Sequence, residues 1–289
     1  MHVSGEAMTS ELTFSGEEWR GFFAPYTDIV LVANNDEVDA EELASTFPET
    51  TLFIFFNKVY KVLRAPFRRP ALLACRSGTM GANVVHRREV ADVLGYFDPA
   101  SFLGVVNVAI MATERFSPTE AFGGVPVRHL HLGQMILGYY PKDKFPTTGF
   151  GLCMWLQSLD LPAQVHLAGF SSKRSERWKV FDVHDWTFEQ VLLRLLSREG
   201  KFRIIGGAPE NPYLSIATHF PQFSTTDIAL TADEVLSERM LGLSSIVDRL
   251  MSVTKVLRFF DNSFRRIRPK TRKQKFLSKS QTDAPPPSP

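Results

Sequence analysis

Short uninterrupted apolar runs alternate along the chain with stretches whose apolar residues recur every three or four positions. Asp28-Ile-Val-Leu-Val-Ala33 ends in Asn34-Asn35, and a helical stretch from Glu37 to Ser45 separates it from a second run, Thr51-Leu-Phe-Ile-Phe-Phe56. A strand that is apolar on both faces belongs in a sheet covered on both sides, the signature of parallel strands joined by helical crossovers. Further strands are expected at Ala71 to Ala74, Leu103 to Met111, Gln164 to Ala168 and Phe202 to Ile205, with helices over Gly149 to Leu159 and Trp186 to Leu196. The predicted fold class is α/β and Rossmann-like, a mainly parallel sheet with helices on both faces. Ligands of such sheets bind beyond the carboxyl ends of the strands, so Asn34, Asn35, Asn57 and the residues around Gly169 become the informative positions.

Toward the C-terminus, Thr231 with Glu234 three residues on has the form of a capping box. Leu236, Met240, Leu243, Val247, Leu250 and Leu257 then follow at helical spacing to about Phe260, and the first half of this stripe is expected to pack on the core. The organisation expected is an N-terminal extension over 1–24, a body over 25–230, an amphipathic helix over 231–263 and a tail over 264–289. That tail ends in Asp-Ala-Pro-Pro-Pro-Ser-Pro and is too poor in large apolar residues to pack by itself.

Composition sharpens the picture at three points. The 289 residues are 44% hydrophobic, enough for a substantial core, and no apolar run reaches the roughly 20 residues that cross a bilayer. With no secretory pattern at its start, the chain reads as cytosolic. Its two cysteines, Cys75 and Cys153, exclude a disulfide scaffold and a zinc ribbon. The net charge of +2 conceals an asymmetry: between Lys255 and Lys279 ten basic residues face one acid, a local net of +9 that leaves the remainder at −7. An acidic body with a basic tail points to a polyanionic partner such as a membrane surface.

Several chemistries lack their motifs. There is no G-x-G-x-x-G, no G-x-x-x-x-G-K-[ST], no G-x-S-x-G and no H-E-x-x-H. No Asp-x-Asp pair is present to hold a divalent cation on a sugar-nucleotide diphosphate, so any nucleotide chemistry is expected to be metal-free. His129 and His131 alternate in a strand-like segment without a third ligand at suitable spacing and read as structural or surface residues.

The segment with most chemistry is Phe145-Pro-Thr-Thr-Gly149, followed by the apolar Phe150 to Leu159 and by Ala163-Gln-Val-His-Leu-Ala-Gly-Phe170. Pro146-Thr147-Thr148-Gly149 is a hydroxyl-rich turn opening a helix, where unpaired N–H groups suit a phosphate or a polar nucleotide edge; an ordinary N-cap has the same look. Further on, His184 opens a helix with Glu189 five positions later. An acid in a first turn is favourable there without any chemical role.

In this order the elements resemble the sialyltransferases. Their small motif has the form Pro-[Ser/Thr]-[Ser/Thr]-Gly, then an apolar helix and a Val-containing strand ending in Gly-Phe, matched by Pro146 to Gly149, Val165 and Gly169-Phe170. Their His-x-x-x-x-Glu is matched by His184 to Glu189. Their N-terminal strands are matched by Ile29 to Asn35 and Leu52 to Asn57, so that the likeness spans about residues 28 to 196. It implies the sialyltransferase variant of the GT-A arrangement for the 25–230 body, a CMP-activated donor (sialic acid or Kdo), inversion at the anomeric carbon, and neither cofactor nor metal. His184 becomes the general base with Glu189 in support. Asn34, Asn35 and Asn57 would contact nucleotide or phosphate, and Thr147, Thr148 and Gly149 would hold the cytidine and the donor carboxylate.

Two departures stand out. Bacterial members hold the leaving phosphate with tyrosines, where this chain has Ser171-Ser-Lys-Arg-Ser-Glu-Arg-Trp178, so Lys173, Arg174 and Arg177 are the candidates to replace them. Animal members link two motif cysteines, whereas Cys153 is expected to stay a reduced thiol. The acceptor expected is a surface glycan, lipid-linked, with residues 253–279 on an anionic membrane and the protein peripheral at its inner, cytoplasmic face. No nucleic acid is expected. The alternative is a non-catalytic relative that only binds a nucleotide or organises a glycan-assembly complex.

Overall fold

The computed structural model describes residues 14–77, 83–171, 183–206 and 213–243. The chain divides into two compact units, residues 1–208 and 209–289. The first unit holds a seven-stranded sheet, every pair parallel, in the order β5-β4-β3-β2-β1-β6-β7. Its strands are β1 Asp28–Val32, β2 Thr51–Phe56, β3 Ala71–Arg76, β4 Phe102–Ala109, β5 Val127–His131, β6 Gln164–Ala168 and β7 Arg203–Ile205. The helices are α1 Gly16–Phe23, α2 Ala40–Ser45, α3 Val90–Leu94, α4 Gly133–Ile136, α5 Thr148–Ser158 and α6 Trp186–Arg198. This is the expected Rossmann-like α/β arrangement with helices on both faces.

The strand order decides which helix covers which face. From β1 to β5 the chain steps outward in one direction, and right-handed crossovers place every connection on the same side. There α2 and α3 pack on Val30, Val32, Phe53, Phe55, Leu73 and Cys75. The return from β5 to β6 reverses the direction, so α4, α5 and α6 cover the opposite face with Ile29, Leu31, Leu52, Ile54, Leu72 and Val165. Strand alternation delivers both sets: Ile29 sits level with Leu52 and Val165, and Val30 with Phe53 and His166. The reversal makes the crevice between β1 and β6 the topological switch point.

Three expectations are refined. First, residues 1–24 are not all peripheral. Ser15 and Glu18 form a complete capping box for α1, and Trp19 and Phe23, one turn apart, are buried in the core, the Trp19 ring edge-on to Trp155 at 4.9 Å. Burying a side chain such as Phe23 is worth about 1.5–3 kcal/mol. Second, the expected helix from Glu37 begins at Ala40, because Asn35 Oδ1 accepts Glu37 N in an Asx turn and Asp39 caps the helix through Glu41 N and Glu42 N. Third, the segment of His129 and His131 is strand β5: His129 is buried against Phe116 and Asn107, and His131 is exposed.

The second unit, taken by itself, contains α7 Leu214–His219 and a helix α8 over residues 225–243. Its cap lies seven residues before the predicted one. Ser224 Oγ accepts Asp227 N at 3.0 Å, so Thr231 falls inside the helix. Within this unit Leu236, Met240 and Leu243 of its apolar stripe are exposed, Met240 by 70%. The remainder of that helix and the basic tail, 244–289, lie outside the described residues. Among the described residues no helix is long and apolar enough to cross a membrane.

Candidate active site

His184, Glu189 and Thr147, three of the predicted residues, lie at the carboxyl edge of the sheet, around the three-residue strap Phe145-Pro146-Thr147 that leads into α5. Thr147 is the N-cap of α5, its Oγ1 accepting Phe150 N at 3.1 Å. The strap is gripped from α6. Glu189 accepts Thr147 N on Oε1 and the Thr147 hydroxyl on Oε2, each at 2.7 Å, while Tyr140 OH donates to Oε1 at 2.8 Å. Tyr140 OH in turn accepts Asp185 N at 3.1 Å, tying the first turn of α6 to the segment after α4. Glu189 is only 3% exposed. Burial pushes its carboxyl above the usual range, Asp185 adds to that, and the hydrogen bonds from Thr147 and Tyr140 act in the other direction.

His184 hangs on the same strap. Its Nδ1 lies 2.6 Å from Phe145 O, and a carbonyl only accepts, so Nδ1 carries the proton and the lone pair sits on Nε2. The opposite direction is fixed by Phe145 N, which donates to Val183 O at 2.8 Å. Burial lowers the imidazole's proton affinity and the Arg76 charge lowers it further, against the Phe145 hydrogen bond, which raises it. The outcome is an imidazole that gives up its proton more readily than an ordinary one. Trp186 stands edge-on to its ring at 5.5 Å.

Beneath the strap lies a charged pair that the sequence did not announce. Arg76 closes β3, and its Nε reaches Glu114 Oε1 at 2.8 Å and Oε2 at 3.0 Å, with the two side chains 13% and 16% exposed. Glu114 Oε2 also accepts Ile110 N and Met111 N at 2.7 and 3.1 Å. Arg76 Nη1 donates to Pro146 O at 3.0 Å, joining the pair to the strap. Asn57, at φ 35° in the left-handed region that asparagine tolerates, turns its Oδ1 to Arg76 N at 3.1 Å.

At the switch point the asparagines stitch strand ends together. Asn34 Nδ2 donates to Phe56 O at 2.8 Å, and Asn34 Oδ1 is buried without a partner among the described residues. Asn35 Nδ2 donates to Gly169 O at 3.1 Å. Gly169 takes φ 75°, and a Cβ there would stand 2.7 Å from Val38 Cγ2. A Cβ on Gly149 would meet the Phe170 ring at 3.0 Å, so the two halves of the Pro-Thr-Thr-Gly and Gly-Phe pattern are in contact.

Of the predicted residues, His184, Glu189 and Thr147 are therefore joined by direct or one-step contacts. Thr148 and Gly149 form the first turn of α5 beside them, and Asn57 reaches the strap through Arg76. Asn34 and Asn35 belong to the neighbouring crevice, bound to β2 and β6 ends. Lys173, Arg174 and Arg177 lie outside the described residues. Arg76, Glu114 and Tyr140 were not predicted; a lone arginine directly after an apolar strand was the one available signal. Cys75 and Cys153 are both buried free thiols, one in each face's core, and burial pushes both pKa values up. Among the described residues no group of His, Cys, Asp and Glu is placed to hold a metal ion. Comparison of the sequence with models of known protein families gives no match, and comparison with curated proteins gives none.

Proposed function

We propose that the protein is a metal-independent inverting glycosyltransferase that moves a CMP-activated 2-keto-3-deoxy acid, sialic acid or Kdo, onto a surface glycan, in the sialyltransferase variant of the GT-A arrangement. The observation that carries the reading is His184: one nitrogen is fixed by the Phe145 carbonyl at 2.6 Å, one strap away from the Thr147 cap. Nε2 takes the proton of the acceptor hydroxyl as that oxygen attacks the anomeric carbon, and CMP leaves from the opposite side with the bonding electrons. Thr148 and Gly149 offer N–H groups of the α5 first turn to the donor, since a helix's first amides lack intrahelical acceptors. Asn34 Oδ1 and the Asn57 amide stand at the ends of β1 and β2, where a nucleotide of this fold class sits. Lys173, Arg174 and Arg177 neutralise the departing phosphate. Residues 253–279 hold the protein on anionic lipid beside a lipid-linked acceptor, the apolar edge and the basic run giving the two signals surface anchoring needs.

The test is CMP release from CMP-sialic acid or CMP-Kdo with a glycan acceptor, run in EDTA. Turnover in chelator that disappears in His184→Ala supports the reading. Turnover that needs added magnesium or manganese overturns its metal-free part, and CMP binding without transfer by the wild-type chain favours the non-catalytic alternative. Removal of residues 254–289 is expected to abolish salt-sensitive pelleting with anionic vesicles, and undiminished pelleting removes the tail as anchor.

A further inference from the structure

The backbone of the strap Phe145, Pro146 and Thr147 makes six hydrogen bonds: two lie with its near neighbours, Tyr140 OH to Phe145 O at 3.3 Å and Gly151 N to Thr147 O at 3.0 Å, and four reach across the fold. Phe145 N donates to Val183 O, Phe145 O accepts His184 Nδ1, and Thr147 N donates to Glu189 Oε1. These three all run to α6 and the turn before it. The fourth, from Arg76 Nη1 to Pro146 O, runs to the sheet. It is the one bond of the six that ties the strap, and the imidazole hung on it, to a strand of the sheet.

Arg76 is built to make that tie rigid. Glu114 receives its Nε on both oxygens and is itself pinned by two backbone amides after β4, while Asn57 holds the Arg76 backbone from the end of β2. A planar guanidinium held by a carboxylate has its remaining N–H groups aimed in set directions, which a lysine ammonium does not. We propose that Arg76, braced by Glu114, is the positioning residue of this site: it sets the place of the His184 imidazole relative to the carboxyl ends of β2 and β3. It touches neither donor nor acceptor in this account and acts through the Pro146 carbonyl. Its charge has a second effect, since after burial it is the group that lowers the proton affinity of His184. Among the described residues, the other charged groups around the strap include Glu114 from the segment after β4, Lys144 just before Phe145, Asp185 at the N-cap of α6 and Glu189 within it. The proposal rests on reading His184 as the base, but its test needs no sugar nucleotide, so the two can fail separately.

The test is the pH titration of the His184 ring, followed by NMR on the full chain without ligand. In the wild type the midpoint lies below the ordinary imidazole value of about 6.5. In Arg76→Gln it is expected to rise, because the charge is lost and the strap is released. The double variant Arg76→Gln/Glu114→Gln, which leaves no unpaired buried carboxylate, is expected to rise as well. Arg76→Lys keeps the charge but not the fork, and is expected to rise less while still lowering kcat at unchanged donor KM. An unchanged midpoint in the folded Gln variants overturns the proposal. So does failure of all three variants to fold, which would make Arg76 a support of the sheet rather than of the base.

Discussion

His166 and His184 are both held by oxygen, and the difference between their partners is what sets the proposed base apart from a histidine of the fold. His166 sits within β6, its Nε2 2.8 Å from Asp28 Oδ1 on the adjacent β1, with Phe47 packed on its ring at 4.8 Å. The two side chains are 8% and 19% exposed, so this is a closed clasp between neighbouring strands. His184 stands in the turn before α6, where a carbonyl rather than a carboxylate fixes one nitrogen. In the clasp the ring and the carboxylate are enclosed on each other between two strands, whereas a carbonyl partner fixes the tautomer and leaves the basic nitrogen for other work.

The comparison is broken most directly by exchanging roles. His184→Ala is expected to lower transfer by about 10²–10⁴-fold with an unchanged thermal midpoint, the usual cost of a lost general base. Near-normal turnover would make His184 another structural histidine. Next in size, Glu189→Ala strips partners from the Thr147 amide and the Tyr140 hydroxyl, and is expected to cost about 2–4 kcal/mol in urea unfolding, at roughly 1–3 kcal/mol per buried group left unsatisfied. His166→Ala should cost about 1–3 kcal/mol by the same measurement while leaving turnover per folded molecule intact. A drop in turnover without a drop in stability would dissolve the contrast.

Two pH effects sharpen it. His184 must be neutral to act, and its proton affinity is lowered, so turnover is expected to rise with pH through a midpoint below about 6.5 and to stay level above. A limb centred above neutrality contradicts this assignment. The smallest effect concerns Glu189, whose pKa is raised in the folded protein. Its contribution to stability is then full below the ordinary Glu pKa and is lost as pH rises through the raised value. Unfolding free energy measured across that window should depend less on pH in Glu189→Gln than in the wild type.

What could be read from the sequence follows from how local each signal is. β2 and β6 fall at their predicted bounds, Thr51–Phe56 and Gln164–Ala168, and in β2 every residue is buried, the mark of a strand covered on both faces. The Thr147 cap was legible for the same reason, its partner Phe150 being three residues away. The strap's other supports come from far along the chain: Arg76 reaches Glu114 across 38 residues and Pro146 across 70, and Tyr140 reaches Glu189 across 49. A polar residue in a loop has no periodicity, and nothing local marks which distant carboxylate it will meet. The start of α8 was misplaced because a cap lies earlier in the chain: Ser224 Oγ accepts Asp227 N and donates to Asp227 Oδ2, seven residues before Thr231. α1 was missed although Ser15 and Glu18 carry the same signature, because a short amphipathic segment ahead of the first strand has no neighbouring pattern to show what it packs on.

The most direct test of the account is the thermal midpoint of the full chain titrated with CMP, CDP, UDP and GDP. CMP is predicted to raise it most, with the shift growing as the logarithm of CMP concentration once the ligand exceeds its Kd. No response to CMP, with stabilisation by UDP or GDP instead, would contradict the central claim.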